Sequence, residues 1–250
     1  RYYTYQVPNI DLIKYKQSDE IIKDFDKYLE NYISNAKFIE SFYEGEIHYV
    51  DKDELNDLLH HKYDRLPLFE RVEELAKRLS SQFYGGSGKK NGTFRKLLKE
   101  HANFKRDFKE IYRGFYLSPY CKISLTEREI DKFIKRKIIY YEDALLFSYM
   151  KGILDGFPYE GQIKQVVIDE AQDYNKLQYI IISKIFQKAD FTILGDVNQN
   201  INPYYHYESL EELKLVLKNE SKYIELLKTY RSSPEIIEYT NKILNLNHVN

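Results

Sequence analysis

From residue 160 onward the sequence alternates between two kinds of apolar run, and this alternation limits the fold more than any other feature. "IKQVVI", with its β-branched Val166, Val167 and Ile168, and "DFTILG" read as buried strands, and "YIELLKT" as a third strand. After them come "KLQYIIISKIF", "ESLEELKLVL" and "SPEIIEYTNKIL", each with helical spacing. In the last of these, Ser233 stands at the cap and Pro234 at the first helical position. Strand, helix, strand, helix, strand with short connections predicts a parallel sheet, because parallel strands need a crossover and a helix supplies it.

Ligands of an open parallel sheet sit beyond the carboxyl ends of its strands. This chain carries Asp169-Glu170-Ala171-Gln172-Asp173 at the first such end. Gly195-Asp196-Val197-Asn198-Gln199 stands at the second and Thr229-Tyr230-Arg231-Ser232 at the third. One acidic strand end is an ordinary boundary with water. Three consecutive ends carrying Asp-Glu, Gly-Asp-x-x-Gln and Tyr-Arg-Ser make a constellation suited to phosphate hydrolysis. Asp169 fits a hard Mg²⁺, which takes oxygen ligands and keeps several waters. Glu170 can orient and deprotonate an attacking water. The Gln199 amide can bond both a γ-phosphate and that water. Arg231 can stabilise the charge on the leaving phosphoryl group.

These three stretches resemble motifs of the UvrD/Rep-like superfamily 1 helicases. "VVIDEAQD" is similar to their Walker B box, "TILGDVNQNI" to motif III and "LLKTYRSSPEII" to motif IV, in matching order and spacing. The resemblance implies ATP and Mg²⁺ as ligands, with Asp169 on the metal and Glu170 activating water. It implies that Gln199 links nucleotide state to DNA contact, that Tyr230 stacks on the adenine, and that Arg231 is the arginine finger. Gln172 and Asp173 complete the D-E-x-Q-D box and couple it to neighbouring motifs. The sequence departs from the family at Asn200, where Ser is usual, and at Asn202, where an aromatic often stacks on a DNA base. Tyr204, Tyr205 or Tyr207 either supplies that platform or packs internally.

Residues 1–140 read instead as a mainly helical region, and 141–250 as the C-terminal part of a first RecA-like motor domain. Ile21, Ile22, Phe25, Tyr28, Leu29, Tyr32 and Ile33 recur at helical spacing, as do Leu68, Val72, Leu75 and Leu79. A short strand followed by a helix capped near Asp51 or Asp53 is expected in "GEIHYVDKDELNDLLHHKY". One long helix is expected over about 92–117, one opening with Ser124 and Glu127 at capping-box spacing, and one over 141–155. "DKDELNDLLHHKYDRLPLFERVEELAKRL" and "IYRGFYLSPY" resemble the insertion of HelD-like (helicase IV-like) proteins, and "YEDALLFSYMKG" the helix before the Walker B box. The HelD-like resemblance implies RNA polymerase as a partner to consider. The expected fold class is therefore α/β: a partial P-loop NTPase (RecA-like) parallel sheet with flanking helices, plus a largely α-helical insertion.

"YGGSGKKNGT" is a decoy for the phosphate loop, G-x-x-x-x-G-K-[S/T]. Gly88-Lys89 supplies the pair, but Lys90 stands where Ser or Thr belongs and Phe83 where the first Gly belongs. The segment before it reads as helix, not strand. The expectation is that the true loop lies before residue 1 and that the 250 residues alone do not hydrolyse ATP efficiently. Net charge is −1, so any nucleic-acid surface must be local. Arg95, Lys96 and Lys99 lead a basic stripe over residues 89–113, with Phe94, Phe104, Phe108 and Tyr112 between. It is either a contact for nucleic acid (single-stranded DNA or a duplex junction) or for a polymerase, or the solvated face of an amphipathic helix. His60-His61 reads as a helix-end surface feature. The single cysteine, Cys121, suits a reducing cytosol and a packed role, and no apolar run is long enough to span a membrane. The expected parent is an ATP-dependent DNA helicase or translocase. The alternatives are an ATP-driven RNA polymerase remodeling factor without unwinding activity, and a binding module that has lost its phosphate loop.

Overall fold

The computed structural model describes residues 10–44, 46–85, 90–134, 140–202, 205–217, 220–226, 230 and 232–247. Helix α1, Ile10–Gln17, leads directly into α2, Asp19–Ser34. Ser18 separates them: its hydroxyl accepts the Ile21 amide and donates to the Tyr15 carbonyl. The apolar stripe of α2 buries Ile21, Phe25, Tyr28 and Leu29, as its spacing predicts. A small antiparallel hairpin follows, β1 (Phe42–Glu44) and β2 (Ile47–Val50). Then come α3 (Lys52–Asp57) and a π-helical turn, Leu58–Lys62, that holds both histidines. His60 bonds the Ala36 carbonyl at 2.6 Å.

Helix α4, Leu68–Tyr84, buries Leu68, Val72, Leu75 and Leu79 and ends at Gly85 with φ +67°, the left-handed stop that favours glycine. The long helix expected over 92–117 is two helices, α5 (Asn91–His101) and α6 (Phe108–Leu117). The break has a tertiary cause. Asn103 bonds Asn35 and Lys37 with its side chain: Nδ2 donates to the Asn35 carbonyl and Oδ1 accepts the Lys37 amide at 2.7 Å. Its backbone amide donates to the Lys37 carbonyl as well. Asp107 then restarts the helix by accepting the Lys109 and Glu110 amides.

Helix α7, Glu127–Ile134, begins on a different pair from the one expected. Thr126 and Glu129 exchange the capping bonds, while Glu127 pairs with Arg113 at 2.6 Å. Helix α8, Tyr141–Asp155, buries Leu146, Tyr149, Met150 and Leu154 against the same core as α2, α4, α5 and α6.

Strand β3, Gln165–Ile168, is followed by α9 (Lys176–Ile185) and β4 (Asp190–Ile193). The two strands pair in parallel, as predicted. A small cluster of Ile168, Ala171, Tyr179, Tyr207 and Leu213 lies beneath them. After it come α10 (Lys214–Leu217) and α11 (Pro234–Asn247). The third strand expected at 223–229 is not formed over 223–226, and 227–229 lie outside the described residues. Among the described residues no helix is long and apolar enough to cross a membrane.

Candidate functional site

β3 and β4 run in register, Val166 beside Phe191 and Ile168 beside Ile193, so both leave the sheet at one edge. Pairing continues a step past the strands. The Leu194 amide donates to the Ile168 carbonyl at 2.8 Å, and the Ala171 amide to the Leu194 carbonyl at 2.9 Å. The two strand-end loops are thereby held side by side.

Asp169 and Glu170 are exposed at this edge. Asp169 Oδ1 accepts the Glu170 amide at 2.9 Å. Glu170 adopts φ +50°, a conformation that costs a residue with a Cβ on the order of 1 kcal/mol or more. The turn lets Ala171 reach Leu194 and brings the Glu170 carboxylate onto Gln172.

Gln172 joins the two loops. Its side chain is buried, with 2% exposure. Nε2 donates to Glu170 Oε2 at 2.8 Å, and Oε1 accepts the Asp196 amide at 3.0 Å. One side-chain amide thus bonds the acid of the first strand end to the backbone of the second. Gly195 permits the approach: a Cβ there would lie 2.6 Å from Gln172 Oε1 and 2.9 Å from the Ala171 nitrogen. Asp196 then caps the next turn through the Asn198 amide and accepts Gln199 Nε2 at 3.0 Å.

The structure therefore brings Asp169, Glu170, Gln172 and Gln199 to one edge of the sheet. Tyr230 is 93% exposed, while Arg231 and Tyr204 lie outside the described residues. Tyr205 is half-buried edge-on to Tyr207, ring centroids 5.0 Å apart, and burial pushes its hydroxyl up to about 12. Tyr207 takes the packing role: it is buried and donates to the Tyr174 carbonyl at 2.8 Å.

The donor set suits Mg²⁺. The exposed Asp169 carboxylate offers a hard oxygen ligand, with water left to fill the remaining positions, and the Glu170 carboxylate stands beside it. Among the described residues no group of three or more His, Cys, Asp or Glu side chains is placed to hold a metal.

The helical candidates are more engaged. Arg95 Nε lies 2.5 Å from Glu73, and Lys96 lies 3.8 Å from Glu100, while Lys99 is exposed. Phe94, Phe104 and Tyr112 are buried core, so they are not a stacking surface. Gly88 and Lys89 lie outside the described residues. The expected helix precedes them, and Lys90 donates to the Tyr84 hydroxyl at 2.9 Å. Burial pushes the Cys121 thiol up, in keeping with a packed role. Sequence reasoning missed Gln17, Asp19 and Lys176, whose bonds to the strand-end segments span more than 150 positions and leave no local signal.

Residues 8–208 match the profile described as the UvrD/REP helicase N-terminal domain. Among similar proteins is an ATP-dependent helicase/nuclease of Natranaerobius thermophilus, 28% identical over 205 residues, which are 72% of this chain and 15% of that protein. The ATP-dependent DNA helicase srs2 of Schizosaccharomyces pombe is 34% identical over 87 residues, 33% of this chain and 10% of that protein. The RecB component of the RecBCD enzyme of Chlamydia pneumoniae is 36% identical over 90 residues, 33% of this chain and 8% of that protein. The chain spans 15% or less of the length of these relatives.

Proposed function

The chain belongs to the UvrD/REP helicase family, and from that premise we propose that it carries the Mg-ATP hydrolysis half of a DNA helicase or translocase motor. What supports this most is the Gln172 amide, which bonds the Glu170 carboxylate and the Asp196 backbone at the shared strand edge. In this reading motifs II and III form one site. Asp169 would hold Mg²⁺, largely through water, and the ion bound with ATP would neutralise charge at the phosphates. Glu170 takes the proton of the attacking water, while Gln172 holds its carboxylate in place. Gln199 senses the γ-phosphate by exchanging its bond to Asp196 for one to the nucleotide. Tyr230 and Arg231 serve the adenine and the leaving phosphoryl group.

The finer assignments belong to the same proposal. Residues 1–140 are the insertion and 141–250 part of the first motor domain. DNA is the substrate, in line with the helicase names of the relatives. Tyr205 and the exposed Lys96 and Lys99 are its candidate contacts, with Arg95 positioned by Glu73. A HelD-like placement, with RNA polymerase as partner, rests on the resemblance of the helical segments alone. The 250 residues contain no G-x-x-x-x-G-K-[S/T] stretch, and by themselves are proposed to turn over ATP slowly.

The test is made on the full-length parent. ATP turnover stimulated by single-stranded DNA, strand displacement, and loss of both in Asp169→Asn are expected. Nucleotide-dependent release of RNA polymerase without strand displacement would replace the helicase reading with the remodeling one.

A further inference from the structure

Several polar bonds converge on the junction of α1 and α2, and the proposed hydrolysis uses none of them. Lys16 Nζ lies 2.6 Å from Asp143 Oδ1, both side chains almost fully buried. Gln17 Nε2 donates to Glu142 Oε1 at 3.3 Å, and Gln17 Oε1 accepts Asn202 Nδ2 at 3.0 Å. Asp19 Oδ2 accepts Lys176 Nζ at 2.6 Å, and Lys176 also lies 3.0 Å from Glu212. Asn202 follows closely on Gln199, and Lys176 on Asp173. One helix junction is therefore bonded to the segment that follows each strand end.

The Gln17 bond has a direction. A carboxylate only accepts, so Gln17 must offer its NH₂ to Glu142, which leaves its carbonyl oxygen for Asn202. Gln17 and Glu142 are both buried, at 8% exposure, so a lost bond leaves polar atoms without water to replace it. Asn202 is itself fixed. Its amide donates to Asn200 Oδ1 at 2.6 Å, and Asn200 Nδ2 donates to the Tyr205 carbonyl at 2.8 Å. The residues that depart from the family's usual pattern, Asn200 and Asn202, thus close the loop that carries Gln199 and bond it to Gln17.

We infer that Gln17 is a positioning residue that couples the Gln199 loop to α8, so that movement at the ATP site reaches the helical region; this rests on the proposed ATP site. Gln17 touches no reacting group. It acts through Asn202 on one side and Glu142 on the other. Its loss uncouples the two regions and leaves hydrolysis itself in place.

The experiment measures ATP turnover in the full-length parent, without and with saturating single-stranded DNA, as kcat and KM. Gln17→Glu sets one carboxylate against another. It should leave DNA-free turnover within about twofold and cut DNA stimulation about tenfold. Adding Glu142→Gln restores one donor and one acceptor at this contact and should return stimulation to within about twofold of wild type. Stimulation unchanged by Gln17→Glu, DNA-free and stimulated turnover falling together, or no recovery in the double variant would each overturn the inference. Wild type and Glu170→Gln run alongside. Wild-type turnover that does not depend on Glu170 removes the ATP site and the inference together, and wild-type turnover indifferent to DNA removes the coupling. Either result is distinct from a defect confined to residue 17.

Discussion

The helical region and the strand edge are held by different forces. In the helical region cohesion is mainly apolar. Phe25 is fully buried, with the Phe115 ring centroid 4.7 Å away and Tyr112 edge-on at 6.0 Å. At the strand edge the apolar cluster is small, and polar bonds carry the arrangement: Gln172 to Glu170 and Asp196, Asn202 to Gln17, Lys176 to Asp19 and Glu212. Apolar contacts are non-directional and tolerate small shifts. Hydrogen bonds fix direction and can be exchanged for bonds to a ligand. The polar bonds of the strand edge suit the change of partners that the proposed hydrolytic cycle requires.

The contrast is sharpest in the core. Phe25→Ala should cost about 3–5 kcal/mol of unfolding free energy, read by denaturant titration, while the folded fraction keeps its ATP turnover. A loss of turnover per folded molecule would mean that the core also shapes the site.

Gly195→Ala probes the other region. Its Cβ would press on Gln172 Oε1 and on backbone, so one loop must shift. The expected destabilisation is about 1–3 kcal/mol, and turnover should fall further than stability predicts. Stability lost with turnover intact would separate Gln172 from the chemistry.

The smallest effect concerns the Lys176 ion pairs. Burial works against the charged form of Lys176, but its bonds to Asp19 and Glu212 outweigh this and hold its pKa above the ordinary value. Burial likewise opposes the charge on Glu212, and the Lys176 bond and the nearby backbone amides hold its carboxyl below the usual range. A depressed carboxyl contributes stability above its unfolded value of about 4.3, and that contribution is lost as pH falls through the lower folded value. Lys176→Met should therefore cost about 0.5 kcal/mol near neutrality and make stability less sensitive to pH below about 4.3. Thermal melts across that range would show it.

Much of the fold was legible because its signals are local. The stripe of α2, the buried face of α4 and the β-branched runs of β3 and β4 are written at short spacing. The break at Asn103 was not, because its partners lie at Asn35 and Lys37 and only the fold brings them near. The start of α7 was ambiguous: Ser124 with Glu127 and Thr126 with Glu129 both have capping-box spacing, and the ion pair with Arg113 takes Glu127. Asp169, Glu170, Gln172 and Gln199 were visible because consecutive parallel strands deliver their ends to one edge. Gln17 and Lys176 were not, because a residue whose partner lies more than 150 positions away carries no pattern around it.

If the two strand ends form one hydrolytic site, Glu170 is at its centre. Glu170→Gln in the full-length parent tests this without intermediaries, because it removes the base and keeps the shape. Steady-state ATP turnover is expected to fall by about 100-fold or more while ATP still binds with nearly wild-type affinity. Turnover close to wild type in that variant would contradict the assignment.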